Sequence, residues 1–479
     1  MTNTLHLTKN PEAAIAPVIT IVGGGFTGST IAVQQARHYI SLYERDHNLP
    51  PLTIRIIDEQ GSFGPGLPYS TPDNVFLLNQ PAYAMSPFPD DPDHFTRWLG
   101  GDGNAFATRH QYGEYLKGTL TQVFNDAAAA GIPVKLETLT GDITDINPYK
   151  DGFVLSRKNG TQLETKALVL ATGHQKSTFL SELDINGRYF SGVHDVVKIG
   201  NILKKDTSKD SVAIVGTGQS MVDALAVLDH IGYKGKIYAF SRSLVEPWAF
   251  DPELYKKALP PYVPFYLDPE RIRDEKDFTF DGLRARLDLE FKWAESQGYG
   301  VGHVLTAIDF KALATAGPNG TAPEGLQALY NLWEKIYGNP TAPERHELLE
   351  RYKKSGQLVL VRNEVQAKDI VAEKDGFIAN GIAGKKQLYL SAIFNAAAFN
   401  RKSLASPLLQ KAADKNLLHL RSDVIEPGRQ NHTAIFAAGP PTSPAKWGVE
   451  TFRNDNALTA RQSVETALGL NIKQQRRKP

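Results

Sequence analysis

Two stretches of the chain repeat one pattern of apolar and polar positions. Val18-Ile19-Thr20-Ile21-Val22 is a short, mostly β-branched run, the composition of a buried strand. Glycines follow at once. Ser29 to Tyr43 then reads as a helix and Leu52 to Ile57 as a second strand, so residues 17–58 predict a βαβ unit. The same grammar returns later. Ser211 to Val215 is a strand, Gly216-Thr217-Gly218 a turn, Ser220 to Ile231 a helix and Lys236 to Ser241 the next strand. Between the units, Ile143 to Gly173 predicts a meander of short strands: Gly152–Ser156, Thr161–Thr165 and Ala167–Ala171. After Arg242 the character changes. Residues 245–270 are rich in proline and aromatics, and residues 282–352 are mostly helical in pattern. Strands resume at Leu358–Val361. A third apolar run, Thr433 to Gly439, precedes a last helix from about Asn456.

The first turn, Gly23-Gly24-Gly25-Phe26-Thr27-Gly28, fits Gly-x-Gly-x-x-Gly between a strand and a helix. The first glycine makes the tight turn, the second lets backbone approach a pyrophosphate, and the third lets helix pack on strand. The helix start then presents free N–H groups and a positive dipole end to the anion. An acid is needed at the end of the second strand for the ribose hydroxyls, and Asp58 stands there with Glu59 beside it. The spacing is stretched by Glu44 to Pro51, read as a long helix–strand loop.

The second turn, Gly216-Thr217-Gly218-Gln219-Ser220-Met221, keeps two glycines and puts Met221 at the third position. Its following strand ends in Ser241-Arg242, with no acid. An acid there repels a 2′-phosphate and an arginine pairs with it, which favours NADPH over NADH. The expected fold class is α/β, with two Rossmann-like dinucleotide-binding domains and a helical insertion. The expected layout is a first domain over 1–195, a second over 205–387 containing the insertion 245–352, and a return to the first over 388–479.

Composition narrows the chemistry. The 479 residues are 41% hydrophobic and 22% charged, with a net charge of +1, the balance of a soluble globular protein. No apolar run is long enough for a membrane helix, and no global basic surface points to nucleic acid. The one basic run, Lys473 to Lys478, reads as a solvated tail. Cysteine is absent, which excludes disulfides, thiolate metal sites, iron–sulfur clusters and every dithiol redox pair. No His/Asp/Glu cluster has metal-ligand spacing, so no metal is expected. The first residues carry neither a basic n-region nor an apolar h-region, so a cytoplasmic protein is expected.

The two glycine motifs, with Leu170-Ala171-Thr172-Gly173-His174 between them, resemble the flavoproteins with two dinucleotide-binding domains, the first for FAD and the second for NAD(P)H. Gly64-Pro65-Gly66-Leu67-Pro68-Tyr69, Leu77-Leu78-Asn79-Gln80-Pro81-Ala82, Pro89 to Pro92, Arg109 with Tyr112, and Ala438-Gly439-Pro440 with Trp447 resemble a bacterial FAD/NAD(P)-binding family related to the class B flavin monooxygenases. Gly216 to Ser220 is similar to the NADPH motif of the N-hydroxylating members, and Ala171-Thr172-Gly173 to their Ala-Thr-Gly segment. Phe190 to His194 is similar to the Phe-x-Gly-x-x-x-His fingerprint, with the histidine two residues early.

The resemblance implies FAD, NADPH and molecular oxygen, with a small nitrogen- or sulfur-containing substrate. It places Leu77 to Pro87 beside the isoalloxazine, Leu78 against the cofactor, and Asn79 and Gln80 as donors to the flavin or the reacting oxygen. It brings Gly439 and Trp447 to the cofactor, Trp447 at the pyrimidine edge. The helical region 245–352, with Arg345, His346 and His303 in or near it, is the candidate substrate lid. Two further readings stay open: a dehydrogenase or reductase without oxygenation, and a flavin-binding redox sensor. The oligomeric state is open.

Overall fold

The computed structural model describes residues 15–174, 179–203, 211–250, 260–272, 275–317, 320, 322–337, 340–397, 406–421, 424–426, 428–432, 434–442 and 449–470. Trp447 and the basic tail lie outside the described residues.

The first domain runs β1 (Val18–Val22), α1 (Phe26–Tyr43), β2 (Leu52–Asp58), α2 (Arg109–Ala129) and β3 (Val134–Thr140). The antiparallel meander β4 (Ile143–Tyr149), β5 (Gly152–Arg157) and β6 (Gln162–Thr165) follows, then β7 (Ala167–Leu170). The second domain contains β8 (Tyr189–Phe190), α3 (Val196–Leu203), β9 (Ser211–Val215), α4 (Gln219–His230) and β10 (Lys236–Ser241). The helical insertion holds α5 (Phe280–Ser296) and α6 (Leu326–Tyr337). The second domain resumes with α7 (Pro343–Lys354), β11 (Leu358–Arg362), a meander of β12 (Ile370–Glu373), β13 (Gly376–Asn380) and β14 (Gln387–Leu390), and β15 (Ala392–Asn395). β16 (Ile435–Ala437) and α8 (Val449–Ala467) complete the first domain.

Two parallel sheets organise these elements. The first has the order β16-β7-β1-β2-β3, with Gly428–Arg429 antiparallel at its edge. The second has the order β11-β10-β9-β15-β8. The central strands are buried along nearly their whole length, because helices or the meander cover both faces. The repeat is therefore longer than the two βαβ units. In each domain a three-stranded meander leads into one more parallel strand beside the first.

That repeat corrects the expected pattern in three places. The run Ala167–Leu170 is not a meander strand; it pairs in parallel with β1 and β16. β8 and β15, which the boundaries at 195 and 388 leave in the first domain, pair in the second sheet. α7, within the expected insertion 245–352, packs Leu348, Leu349 and Tyr352 into the second domain's core and is its crossover helix. The insertion proper has a core of its own, including Leu283, Leu287, Val304 and Leu329. Among the described residues, no helix is long and apolar enough to cross a membrane.

Candidate functional site

The head of α1 is a hub that five chain segments reach. Gly23 leaves β1 with φ +109°, and a Cβ there would lie 2.1 Å from the Ala171 carbonyl oxygen. The turn is thus pressed against the end of β7, where Thr172 and Gly173 follow. A Cβ on Gly28 would lie 1.9 Å from the Gly23 oxygen, the close helix–strand approach that requires the third glycine. Gly25 caps α1 without a side chain, and the first turn, which includes Phe26 and Thr27, carries no acid. The helix start keeps its positive end and offers N–H groups to an anion.

Asp58 is held rigidly beside this turn. Its Oδ2 accepts from Gly24 N at 2.9 Å, and its Oδ1 accepts from Gln60 N and Ser62 N at 3.0 Å each. A carboxylate oxygen accepts about two hydrogen bonds, so Oδ2 retains capacity for one more donor. Glu59 is exposed and lines an open cleft of about 460 Å³ with Thr140, Arg157 and Lys158. Arg157 and Lys158 carry no local motif; the fold of the meander alone brings them to the end of β2.

The Gly64–Gly66 segment packs on the turn from the other side. A Cβ on Gly66 would lie 2.7 Å from the Gly25 Cα. Gly64 N donates to Gly24 O at 2.8 Å and to Ser29 Oγ at 2.9 Å. Phe26 stacks on Tyr112 at 6.4 Å, in the apolar cluster that holds Leu78. Asn79 and Gln80 follow Leu78, half-buried, and Gln80 Oε1 is buried with no hydrogen-bond partner. Thr172 Oγ1, next to Gly23, is likewise buried and unpartnered. From the C-terminal side, a Cβ on Gly439 would lie 2.6 Å from Thr27 Oγ1, and the fully buried Asn456 of α8 donates to Thr30 Oγ1 at 3.2 Å.

The second turn is built the same way. Gly216 has φ +116°, and a Cβ there would lie 2.2 Å from the Ala396 carbonyl oxygen, the counterpart of Gly23 against Ala171. Gly218 caps α4 without a side chain, and the first turn, with Gln219 and Ser220, again lacks an acid. Met221 replaces the third glycine and buries its side chain in the second core. Both roots of the insertion fasten here. Thr217 Oγ1 donates to Val245 O at 2.7 Å, and Gln219 Nε2 donates to Pro340 O. Ser241 ends β10; Arg242 beyond it is exposed, 3.6 Å from the exposed Glu364.

Of the other polar residues, burial pushes His174 down to about 4, so it is neutral at pH 7. Burial, then the Arg109 charge, holds His194 below its ordinary value. His303 accepts from Gly300 N through Nδ1 within its own helix start. Among the described residues, no group of His, Asp and Glu is arranged to hold a metal ion.

Residues 20–175, which contain the first turn, Asp58 and the Gln80 segment, match the family model described as FAD-NAD(P)-binding. They form an FAD-NAD(P)-binding domain. Solved structures extend the likeness past this domain to the whole chain. The ornithine hydroxylase of Pseudomonas aeruginosa aligns with a TM-score of 0.52 at 15% identity, covering 95% of this chain and 100% of that one. The L-lysine 6-monooxygenase of Pseudomonas syringae gives 0.52 at 14% identity, over 95% and 99%. The FAD-bound cadaverine monooxygenase DfoA of Erwinia amylovora gives 0.51 at 14% identity, over 95% of both chains. No curated protein matches this chain. The fold shared with these structures thus extends beyond the FAD-NAD(P)-binding match at residues 20–175 to about 95% of the chain.

Proposed function

We propose that the chain is an FAD- and NADPH-dependent monooxygenase of a small nitrogen- or sulfur-containing metabolite, with N-hydroxylation of an amine the favoured reaction. The observation that carries the reading is the end-to-end match to enzymes whose names state hydroxylation or oxygenation of ornithine, lysine and cadaverine. The lack of any cysteine supports it from another side, since it closes the dithiol route by which a flavoprotein reductase could pass electrons on.

Bound FAD would supply the hydride acceptor for NADPH and, once reduced, the electron donor to oxygen. The chain's own residues bind, orient and shield. The head of α1 and the Gly23–Gly28 turn hold the FAD pyrophosphate, with the free capacity of Asp58 Oδ2 directed to a ribose hydroxyl. Gln80 Oε1 and Thr172 Oγ1, buried without partners, are the groups that gain one when the cofactor is in place. Asn79 lines the same segment, and Gly439, packed without a side chain on Thr27, would bring the C-terminal segment up to the cofactor. Trp447 is assigned to the flavin's pyrimidine edge by resemblance alone. The head of α4 takes the NADPH pyrophosphate. Ser241 and Arg242 take its 2′-phosphate, with Arg242 exchanging its exposed pairing with Glu364 for the phosphate. The insertion, rooted on the second turn at Val245 and Pro340, would be the part that keeps water out.

The test is isotopic. FAD-loaded protein, NADPH and labelled molecular oxygen are incubated with ornithine, lysine and cadaverine. A hydroxylated product carrying one labelled oxygen atom is expected. NADPH oxidation with no labelled product from any of these three amines refutes the favoured N-hydroxylation. A protein that cannot be loaded with FAD refutes the flavoprotein reading itself.

A further inference from the structure

One short strap belongs to both domains. Val75 and Phe76 leave the first domain and lie in the second domain's core cluster with Phe190, Ile214 and Met221, Phe76 being 0% exposed. Leu78, two residues on, lies in the first domain's aromatic cluster with Tyr112. Asn79 and Gln80 come next. A segment anchored this way cannot keep its course if the domains separate, because Val75 and Phe76 would have to leave an apolar core.

Arg109, the first residue of α2, holds the strap and reaches across. Its backbone N–H donates to Phe76 O at 2.9 Å and its Nε to Leu77 O at 3.2 Å. Its guanidinium lies over the Phe76 ring, 5.5 Å from the centroid. Its Nη2 meets both oxygens of Asp223, at 3.0 and 2.9 Å, in a pair whose side chains are only 11% and 15% exposed. Asp223 sits on α4, five residues past Gly218, on the helix whose head is the second glycine turn. From α7, Arg345 Nη2 donates to Val75 O at 2.5 Å. A charge pair this sheltered from water is costly to break one-sidedly, since the partner left behind stays buried.

We propose that Arg109 is a positioning residue. Through Asp223 it ties the helix that carries the NADPH turn to the strap, so that Asn79 and Gln80 are held at the flavin only while the second domain is docked. This rests on the FAD/NADPH reading above. It adds a physical link by which occupation of the second turn is felt at the first.

Two measurements on the full chain test it. In Asp223→Asn without cofactor, amide hydrogen exchange in the peptide covering 77–82 should quicken tenfold or more. The Leu78 and Ala82 amides, which donate to Ala107 O and Ala105 O at 2.9 and 3.0 Å, report this directly. Exchange in β1 and α1 should be unchanged. In the FAD-loaded variant, the limiting rate of flavin reduction by NADPH should fall tenfold or more, with half-saturating NADPH within threefold and reduction by dithionite unaltered. Asp223→Glu should recover most of the rate.

Unchanged exchange at 77–82 overturns the latch. Faster exchange with an unchanged limiting rate overturns the positioning role. Should Asp223→Asn fail to fold, Arg109→Lys, which keeps the charge but cannot span both Leu77 O and Asp223, carries the same expectations. If the parent chain takes up no FAD, the functional reading falls, while the cofactor-free exchange still decides the latch.

Discussion

Gly66 shows how little room the first turn has. Its φ is +57° and a Cβ would meet the Gly25 Cα at 2.7 Å, a backbone atom that cannot swing aside. The left-handed conformation alone costs an alanine about 1 kcal/mol. The collision is a separate effect, and it would push apart the two segments proposed to hold the cofactor. Gly66→Ala should therefore lower FAD affinity at least tenfold, read by titration of the apoprotein with FAD. Gly131→Ala is the matched control: Gly131 has a similar φ of +68° with nothing within 4 Å. It should cost a little stability and leave FAD binding intact. Equal FAD affinity in both variants would show that the packing of Gly66 on Gly25 is not what shapes the site.

At the scale of elements, the insertion is pinned by one buried acid. Glu290 on α5 is fully buried. Its Oε1 accepts from Phe265 N at 2.8 Å and from the Tyr262 hydroxyl; its Oε2 accepts from Tyr266 N at 2.6 Å and Leu267 N at 2.7 Å. Four donors converge on four acceptor positions, which fixes the 262–267 loop against the helix. Glu290→Gln turns one acceptor into a donor facing backbone N–H groups, at a cost of about 2–3 kcal/mol. The insertion has its own core, so the loss should stay local. Limited proteolysis should cut Glu290→Gln within 260–337 under conditions that leave the parent whole, with the flavin spectrum retained. Resistance equal to the parent's would mean the loop is held by its aromatic packing instead.

Across the described residues, half-buried histidines contribute to the response to acid. Burial is the first cause holding His38, His94, His174, His194 and His432 below their ordinary value, and it takes His174 to about 4. A base with a depressed pKa is neutral in both states above pH 6.5. Between 6.5 and 4 the unfolded chain takes up the proton first, so stability falls as pH falls. At 1.36 kcal/mol per unit, His174 alone would contribute on the order of 3 kcal/mol over that window. Tm of the apoprotein should drop steadily from pH 7 to 4, and His174→Asn should flatten the slope. An unaltered slope would place the acid sensitivity elsewhere.

The two glycine turns, the helices they open and the acid at Asp58 were legible in the sequence, because strand, turn and helix each leave a local signature and the turn's chemistry lies within a few residues. The repeat of the unit was legible for the same reason. Which sheet a short apolar run joins was not: Ala167–Leu170 and Ala392–Asn395 look alike in composition to meander strands, and only pairing with β1 and β9 distinguishes them. Gly66 against Gly25 and Arg109 against Asp223 join residues 41 and 114 positions apart, and such contacts leave no periodic trace. The sequence by itself determined that there are two glycine turns between a strand and a helix and that cysteine chemistry is absent, since both are properties of local order and composition. Only the tertiary structure decided what backs each turn, where the domains divide and how a six-residue strap is shared between them, since those depend on which distant surfaces bury one another.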